Sequence, residues 1–446
     1  MINKYLYIAI YLPTCTVTST TLPLFCYCYR GVEKTEDILY MTLLRKSMWI
    51  MDAWPKGPTE SKLYRYKMIV IELCCLIPGI IYLRENTGKL SSFEMGHTYI
   101  TVFMNAIAFS RTIMVLSEKY NRLMSYFVNE MHLFNYKNKS DYSYKVHIQI
   151  HKLCHFFTVY HLSLMFLGLT FFNVIPIYNN YRNGMYRDER PQNATFDHAV
   201  FYSLPFDYTT DTTGYIGVFT FNWYISYTCS SYFCVVDLII SLLVFHLWGH
   251  SRIIIHNLEN FPMPASLLIE SKEDKVDGKE QTYTEQEFKE VHNILRENIH
   301  YHSVIIDSQS RVSNCFGEVL LLYFFFHQVS ECLLLLECSQ MDQKALLRYG
   351  PLTVVIFQQL IQLNVIFELL RFSNDKLIDA IYCLPWEYMD TKNRKLVLVF
   401  LRQSQQFANL KAMGMFNVGV QTMITILKTS FSYFVMLRAV AEEDEE

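Results

Sequence analysis

The chain has 446 residues, of which 51% are hydrophobic, 15% aromatic and 18% charged, with 15 Gly, 12 Pro and a formal charge of -3. That apolar load and its segmental distribution exclude a disordered, collagenous or coiled-coil protein. The balance of 39 basic against 42 acidic residues supplies no global positive field, which argues against a nucleic-acid partner.

In chain order, residues 1–40 hold a short apolar run interrupted by Pro13. They are expected to be a poorly ordered extension or a start-site artefact, with Met41 or Met48 as the working start, and a single domain is expected over 41–446. The mean hydropathy of +0.12 is modest, but polar loops dilute apolar spans, so the spans are sought one by one. Seven segments are long enough to cross about 30 Å of hydrocarbon: 67–83, 96–116, 153–178, 216–248, 312–336, 351–372 and 413–437. The fold class expected is therefore an all-α membrane protein with seven transmembrane helices. Spans three and four are studded with Tyr, His, Ser and Thr, which places them inside the bundle or against a cavity rather than in lipid all round.

Orientation follows from the connections. Lys and Arg concentrate before span one (Arg45, Lys46, Lys62, Arg65), between two and three (Lys119, Arg122, Lys137, Lys139), between four and five (Arg252, Lys272, Lys289, Arg296) and between six and seven (Lys376, Lys392, Arg394, Lys395). The alternate loops are poor in both, so the N-terminus is expected in the cytoplasm and the C-terminus outside, the reverse of a G-protein-coupled receptor. The sequon at Asn193 then lies outside, where glycosylation is available, whereas Asn138 lies inside and is expected to be unused.

No nucleophile elbow, HExxH pair or glycine-rich phosphate loop occurs, so neither an enzyme nor a cofactor is expected. His147, His151 and His155 recur on one helix face at a spacing that can hold a metal. With no carboxylate or fourth ligand nearby, packing at the membrane interface is the simpler account and no metal site is expected. The 12 Cys are scattered, which gives no disulfide framework. Glu72, Arg111, Asp237, Glu318, Glu331 and Glu368 fall at membrane depth. A structural role is expected for each, with an ion path or an interhelix coupling contact as the alternative.

The most specific patterns come last. They are a Leu377, Ala380, Tyr382, Trp386 run, a basic helix ending in Ser404-Gln405, a small residue at Gly414, and a closing Ser432-Tyr433-Phe434. Together these resemble the C-terminal signature of insect odorant receptors, with departures at Asn374 and Phe407. The related gustatory receptors end differently, and the long loop of the odorant receptor coreceptor between spans four and five is missing, which favours an odour-tuning subunit.

The resemblance implies a multi-pass plasma-membrane protein of sensory neurons, one subunit of a tetrameric odour-gated cation channel assembled with the coreceptor. It implies that the inner ends of the later helices, about 290–311 and 373–411, anchor the subunits together. It also places a pore gate on the last span at Met436 and Val440, where a ring of apolar side chains shuts a pore by dewetting. The family's pocket for a small hydrophobic odorant lies between spans two, three, four and six. Positional candidates are Tyr99, Val102, Phe103 and Ala106 on span two and Leu164, Met165, Gly168 and Thr170 on span three. Trp223 and Tyr227 on span four and Thr353 and Phe357 on span six complete them. Such a lining suits a volatile or hydrocarbon bound by dispersion and desolvation. The alternatives are a gustatory receptor of the same superfamily and a metabotropic seven-span chemoreceptor signalling through G proteins. Against the latter stand the orientation and the lack of Asp-Arg-Tyr after span three. A secondary transporter would show internal repeats, and none is seen.

Overall fold

A computed structural model describes residues 33–55, 63–90, 92–187, 190–191, 194–265, 282–339, 343–406, 411–412 and 416–443. Its helices are α1 (Leu39–Ser47), α2 (Leu63–Asn86), α3 (Ser92–Leu116), α4 (Glu118–Tyr126), α5 (Asp141–Arg182), α6 (Thr212–Glu259), α7 (Glu285–Ser339), α8 (Gln343–Tyr382), α9 (Thr391–Gln406) and α10 (Val420–Glu443). Six of them, α2, α3 and α5 to α8, are long and apolar enough to cross a membrane. The seventh, α10, has 24 residues and carries Lys428 along its length. At about 1.5 Å per residue it too matches the hydrocarbon thickness.

The apolar runs mark only the middle of these helices. α5, α6 and α7 have 42, 48 and 55 residues, so each outruns a bilayer by several turns. The last span begins at Val420, not at 413, because Lys411–Ala412 pairs antiparallel with Phe416–Asn417 in a short ladder ahead of the helix. Packing also starts before residue 41. A 3-10 turn at Thr35–Asp37 leads into Ile38 and Tyr40, both buried.

α6 is the axis of the bundle, and every residue from 231 to 247 is buried. Three of its buried serines are satisfied within the helix. Ser231, Ser241 and Ser251 donate to the carbonyls of Tyr227, Asp237 and Leu247 at 2.8, 2.7 and 3.1 Å. Asp211 caps the helix by accepting from the Gly214 amide at 2.7 Å. α5 packs along α6 with one stripe, Cys154, Thr158, His161, Met165 and Leu169, all buried. Its opposite stripe, Phe156, Tyr160, Leu167, Phe171 and Tyr178, is exposed. Both stripes advance three or four residues at a time, apart from two-turn steps between Tyr160 and Leu167 and between Phe171 and Tyr178, as one helix divided between a core and lipid requires.

Most of the ionisable residues expected at membrane depth have partners. Arg111 Nη2 lies 2.9 Å from Asp237 Oδ1, and its Nη1 donates to the Tyr232 and Phe233 carbonyls at 3.0 and 2.8 Å. The guanidinium also sits over the Phe233 and Tyr323 rings, at 4.7 and 5.5 Å. Glu331 meets His327 at 3.3 Å, Glu368 meets Arg371, and Glu318 is exposed. Glu72 is buried with neither carboxylate oxygen hydrogen-bonded.

His147 and His151 enter an aromatic cluster with Tyr40 and His132 rather than a metal site. The His147 and His132 centroids are 6.4 Å apart, and those of His151 and Tyr40 are 5.4 Å apart. Among the described residues no group of His, Cys, Asp and Glu is arranged to hold a metal ion, and the described cysteines are free.

Candidate ligand cavity and the last-helix seam

A cavity of about 380 Å³ opens between α3, α5, α6 and α8. It exists because the facing side chains there are short: Thr101 and Asn105 on α3, Gly168 on α5, and Ser226, Cys229 and Ser230 on α6. The remaining wall is aliphatic and aromatic, including Met165, Phe172, Phe233 and Ile356, and among the described residues no Asp, Glu, Lys, Arg or His lines it. Gln359 on α8 adds a carboxamide. Its Nε2 donates to Cys234 Sγ at 3.5 Å, while its Oε1 is buried without a hydrogen bond.

The loop between α5 and α6 closes one end through Val200, which lines the cavity. Its backbone is fastened on both sides: His97 of α3 bonds the Ala199 carbonyl at 2.9 Å, and Asn222 of α6 donates to the Val200 carbonyl at 3.1 Å. Asn180 and Asp197 exchange two bonds at 2.9 and 2.7 Å, Asn180 Nδ2 donating to the Asp197 carbonyl and the Asp197 amide to Asn180 Oδ1. Within the loop, hydrogen bonds from Thr210 and Thr209 hold the Asp207 carboxyl down at about 2. Burial holds His198 below the usual imidazole range, although the Tyr208 carbonyl and the Asp197 charge act the other way. Gly214 is required where this loop meets α6, because a Cβ there would strike the Asp207 carbonyl oxygen and reach 2.9 Å from Tyr208 Cα.

Of the residues chosen from sequence, Leu164, Met165 and Gly168 line the cavity. The others lie off its wall. Tyr99 is exposed, Val102 faces Gly79 of α2, and Phe103 packs edge-on against Phe325 and Phe326 of α7. Ala106 and Phe357 are half-buried elsewhere on α3 and α8. Thr170 is exposed and bonds back to the Phe166 carbonyl at 2.7 Å. Trp223 stands against Phe219, Tyr227 stacks on Phe166, and Thr353 reaches Cys338 at 3.4 Å. On α3 the wall of this cavity is Thr101, Met104 and Asn105, which at about 100° of turn per residue lies close to the opposite face from Tyr99, Val102, Phe103 and Ala106. Aromatic residues fill space, and the signal that marks a cavity is the coincidence of small side chains on facing helices.

α10 packs against α7 and α8. Gln328 of α7 clamps it, donating to Ser430 Oγ at 3.0 Å and accepting from Thr429 Oγ1 at 2.5 Å. Glu368 of α8 accepts the Val420 amide at 3.3 Å and so caps the first turn of α10. α8 thus carries a cavity wall at Ile356 and Gln359 and holds the start of α10 at Glu368, about two and a half turns on. The free face of α10 exposes Phe431, Tyr433, Val435 and Met436. Ser432 is exposed and bonds the Lys428 carbonyl at 2.9 Å. The side chain of Val440, and residues Asn193, Phe407 and Gly414, lie outside the described residues.

At the opposite end from the α5–α6 loop, α7, α8 and α9 converge. His292 meets Asn393 at 2.9 Å, and His302 packs on Phe400 with centroids 5.2 Å apart. The motif residues Leu377 and Ala380 are buried in this seam. Tyr382 and Trp386 are exposed, with the Trp386 indole donating to the Tyr382 carbonyl at 3.2 Å, and Gln405 is exposed on α9.

Comparison with known proteins agrees with this architecture. The chain is similar to putative odorant receptor 85d of Drosophila melanogaster, 23% identical over 152 residues, 33% of this chain and 36% of that protein. It is also similar to odorant receptor 22c of the same species, 25% identical over 158 residues, 35% and 39%. The match thus spans little more than a third of the length of these relatives. In fold it is similar to the insect olfactory receptor OR5 from Machilis hrabei, with TM-score 0.70 and 14% identity over 89% of this chain and 98% of that one. A second structure of that receptor, in complex with eugenol, matches with TM-score 0.70 over 90% and 99%. A family model described as 7tm Odorant receptor matches residues 92–431, and the chain therefore belongs to the odorant receptor family of insects, a family of receptors and not of enzymes.

Proposed function

We propose that this chain is an odour-tuning subunit of a ligand-gated, non-selective cation channel in the plasma membrane of sensory neurons. It would assemble with the odorant receptor coreceptor into a hetero-tetramer. The observation that carries the reading is that α8 joins an apolar cavity to the first turn of α10 through Glu368. A small hydrophobic odorant in the cavity would open the pore to the extent that it binds the open arrangement more tightly than the closed one. Met436, exposed on the free face of α10, and Val440 would form the apolar gate. The exposed Tyr382, Trp386, Leu398 and Val399 at the opposite end would meet neighbouring subunits.

The basic loops put that end in the cytoplasm, with the α5–α6 loop and the Asn193 sequon outside. Recording from cells that express the chain with and without the coreceptor, under G-protein blockade, tests the proposal. Rapid odorant-evoked cation current that needs both chains and survives the block is expected. Current abolished by the block would instead identify a metabotropic receptor.

A further inference from the structure

We infer that the cavity selects a neutral ligand with an apolar body and one hydroxyl, and that Gln359 binds the hydroxyl at the end of the cavity away from the α5–α6 loop. The inference rests on the cavity being the odorant site. Gln359 is 4% exposed, and its Oε1 is buried with no hydrogen-bond partner. A buried carboxamide oxygen without a hydrogen bond is costly, and an occupant that donates a hydrogen bond to it recovers that cost. Among the described residues no charged side chain lines the cavity, so an ammonium or carboxylate would meet no compensating charge there and the donor is neutral.

Two other polar residues on the wall, Thr101 and Ser226, are weaker candidates. Thr101 already donates to the Thr98 carbonyl at 3.1 Å. Ser226 Oγ is also buried without a partner, but a helical serine can turn back to the carbonyl four residues before it, as Ser231, Ser241 and Ser251 do in the same helix. Depth follows from α6. Asn222 fastens the loop above Val200, whereas Cys234, the residue Gln359 contacts, lies three turns further along, about 18 Å deeper. The hydroxyl therefore goes in first, and the apolar body lies towards the loop.

The test uses octanol, methyl heptyl ether and nonane, which match in heavy-atom count and differ in donating a proton, accepting only, or doing neither. Their affinities are read by thermal shift on the full chain, in the assembly in which it reaches the membrane, reconstituted in lipid nanodiscs. Octanol is expected to bind about tenfold to a hundredfold more tightly than the ether. In Gln359→Leu that advantage is expected to fall to within about threefold, with nonane binding retained as the control for folding. If Gln359→Leu fails to fold, Gln359→Met serves under the same control, and Ser226→Ala is expected to keep the advantage. Equal binding of octanol and ether to the wild type, an advantage that survives loss of Gln359, or one lost only in Ser226→Ala would overturn the inference while leaving the cavity as the odorant site. If none of the three binds the wild type, the cavity reading fails and takes this inference with it.

Discussion

Arg111 and Asp237 show how single residues govern this bundle. Their pairing across α3 and α6, with two further bonds from Arg111 to backbone carbonyls, satisfies groups that hydrocarbon would not tolerate alone. Breaking a buried pair from one side typically costs about 3–5 kcal/mol, whereas replacing both partners by apolar residues is often neutral. Arg111→Met is accordingly expected to lower the thermal unfolding midpoint sharply, and Arg111→Met with Asp237→Leu to recover most of it. An undiminished midpoint in the single variant would show the pair to be dispensable. This pair was legible in the sequence as two charges at membrane depth, but not as each other's partner, because nothing local relates positions 111 and 237. Gln359 shows the opposite limit. Its amide is one of several on α8, and only the packing of Cys234 against it reveals which edge has no hydrogen-bond partner.

At the scale of elements, apolar runs located the spans well and their ends poorly. Helices continue past the hydrocarbon wherever polar residues still favour them, as α7 does from Glu285 to Val312, and the ladder of Lys411–Ala412 with Phe416–Asn417 overlaps the start of a stretch that reads as apolar. Two predictions belong here. The α5–α6 loop keeps His198 neutral by burial, so the opened loop takes up a proton that the closed loop resists. Closure is therefore fully stable above about pH 6.5, the ordinary imidazole value, and weakens as pH falls below it. Hydrogen-exchange protection of residues 195–211 should drop from pH 7.5 to about 5.5 in the wild type and change little in His198→Gln, both values being approximate brackets of that range. Unchanged wild-type protection would refute it. The second concerns Glu368: removing the cap of α10 in Glu368→Leu is expected to leave odorant affinity within about twofold while shifting the half-maximal concentration for current by about tenfold, since about 1–2 kcal/mol of capping is lost from one arrangement of the helix. A parallel change in both quantities would show that Glu368 shapes the cavity instead.

For the whole molecule, the family was legible because its most specific residues crowd into the C-terminal segments, and Leu377 and Ala380 prove to be buried in the seam of α7, α8 and α9. The candidate cavity was legible only as a region. It lies between four helices that were named from sequence, but its wall depends on helix rotation, which is settled by three-dimensional packing and leaves no periodic trace when a helix is buried all round, as α6 is from 231 to 247. The central claim is that occupation of this cavity drives the current, and Gly168 gives direct access to it. A Cβ added there meets nothing within 4 Å, so Gly168→Leu fills space on the cavity wall without straining the fold. The decisive measurement is odorant-evoked current in Gly168→Leu at matched surface expression. We expect the odorant concentration for half-maximal current to rise by about tenfold or more, with the current remaining insensitive to G-protein blockade. A Gly168→Leu channel that responds like the wild type would contradict the account.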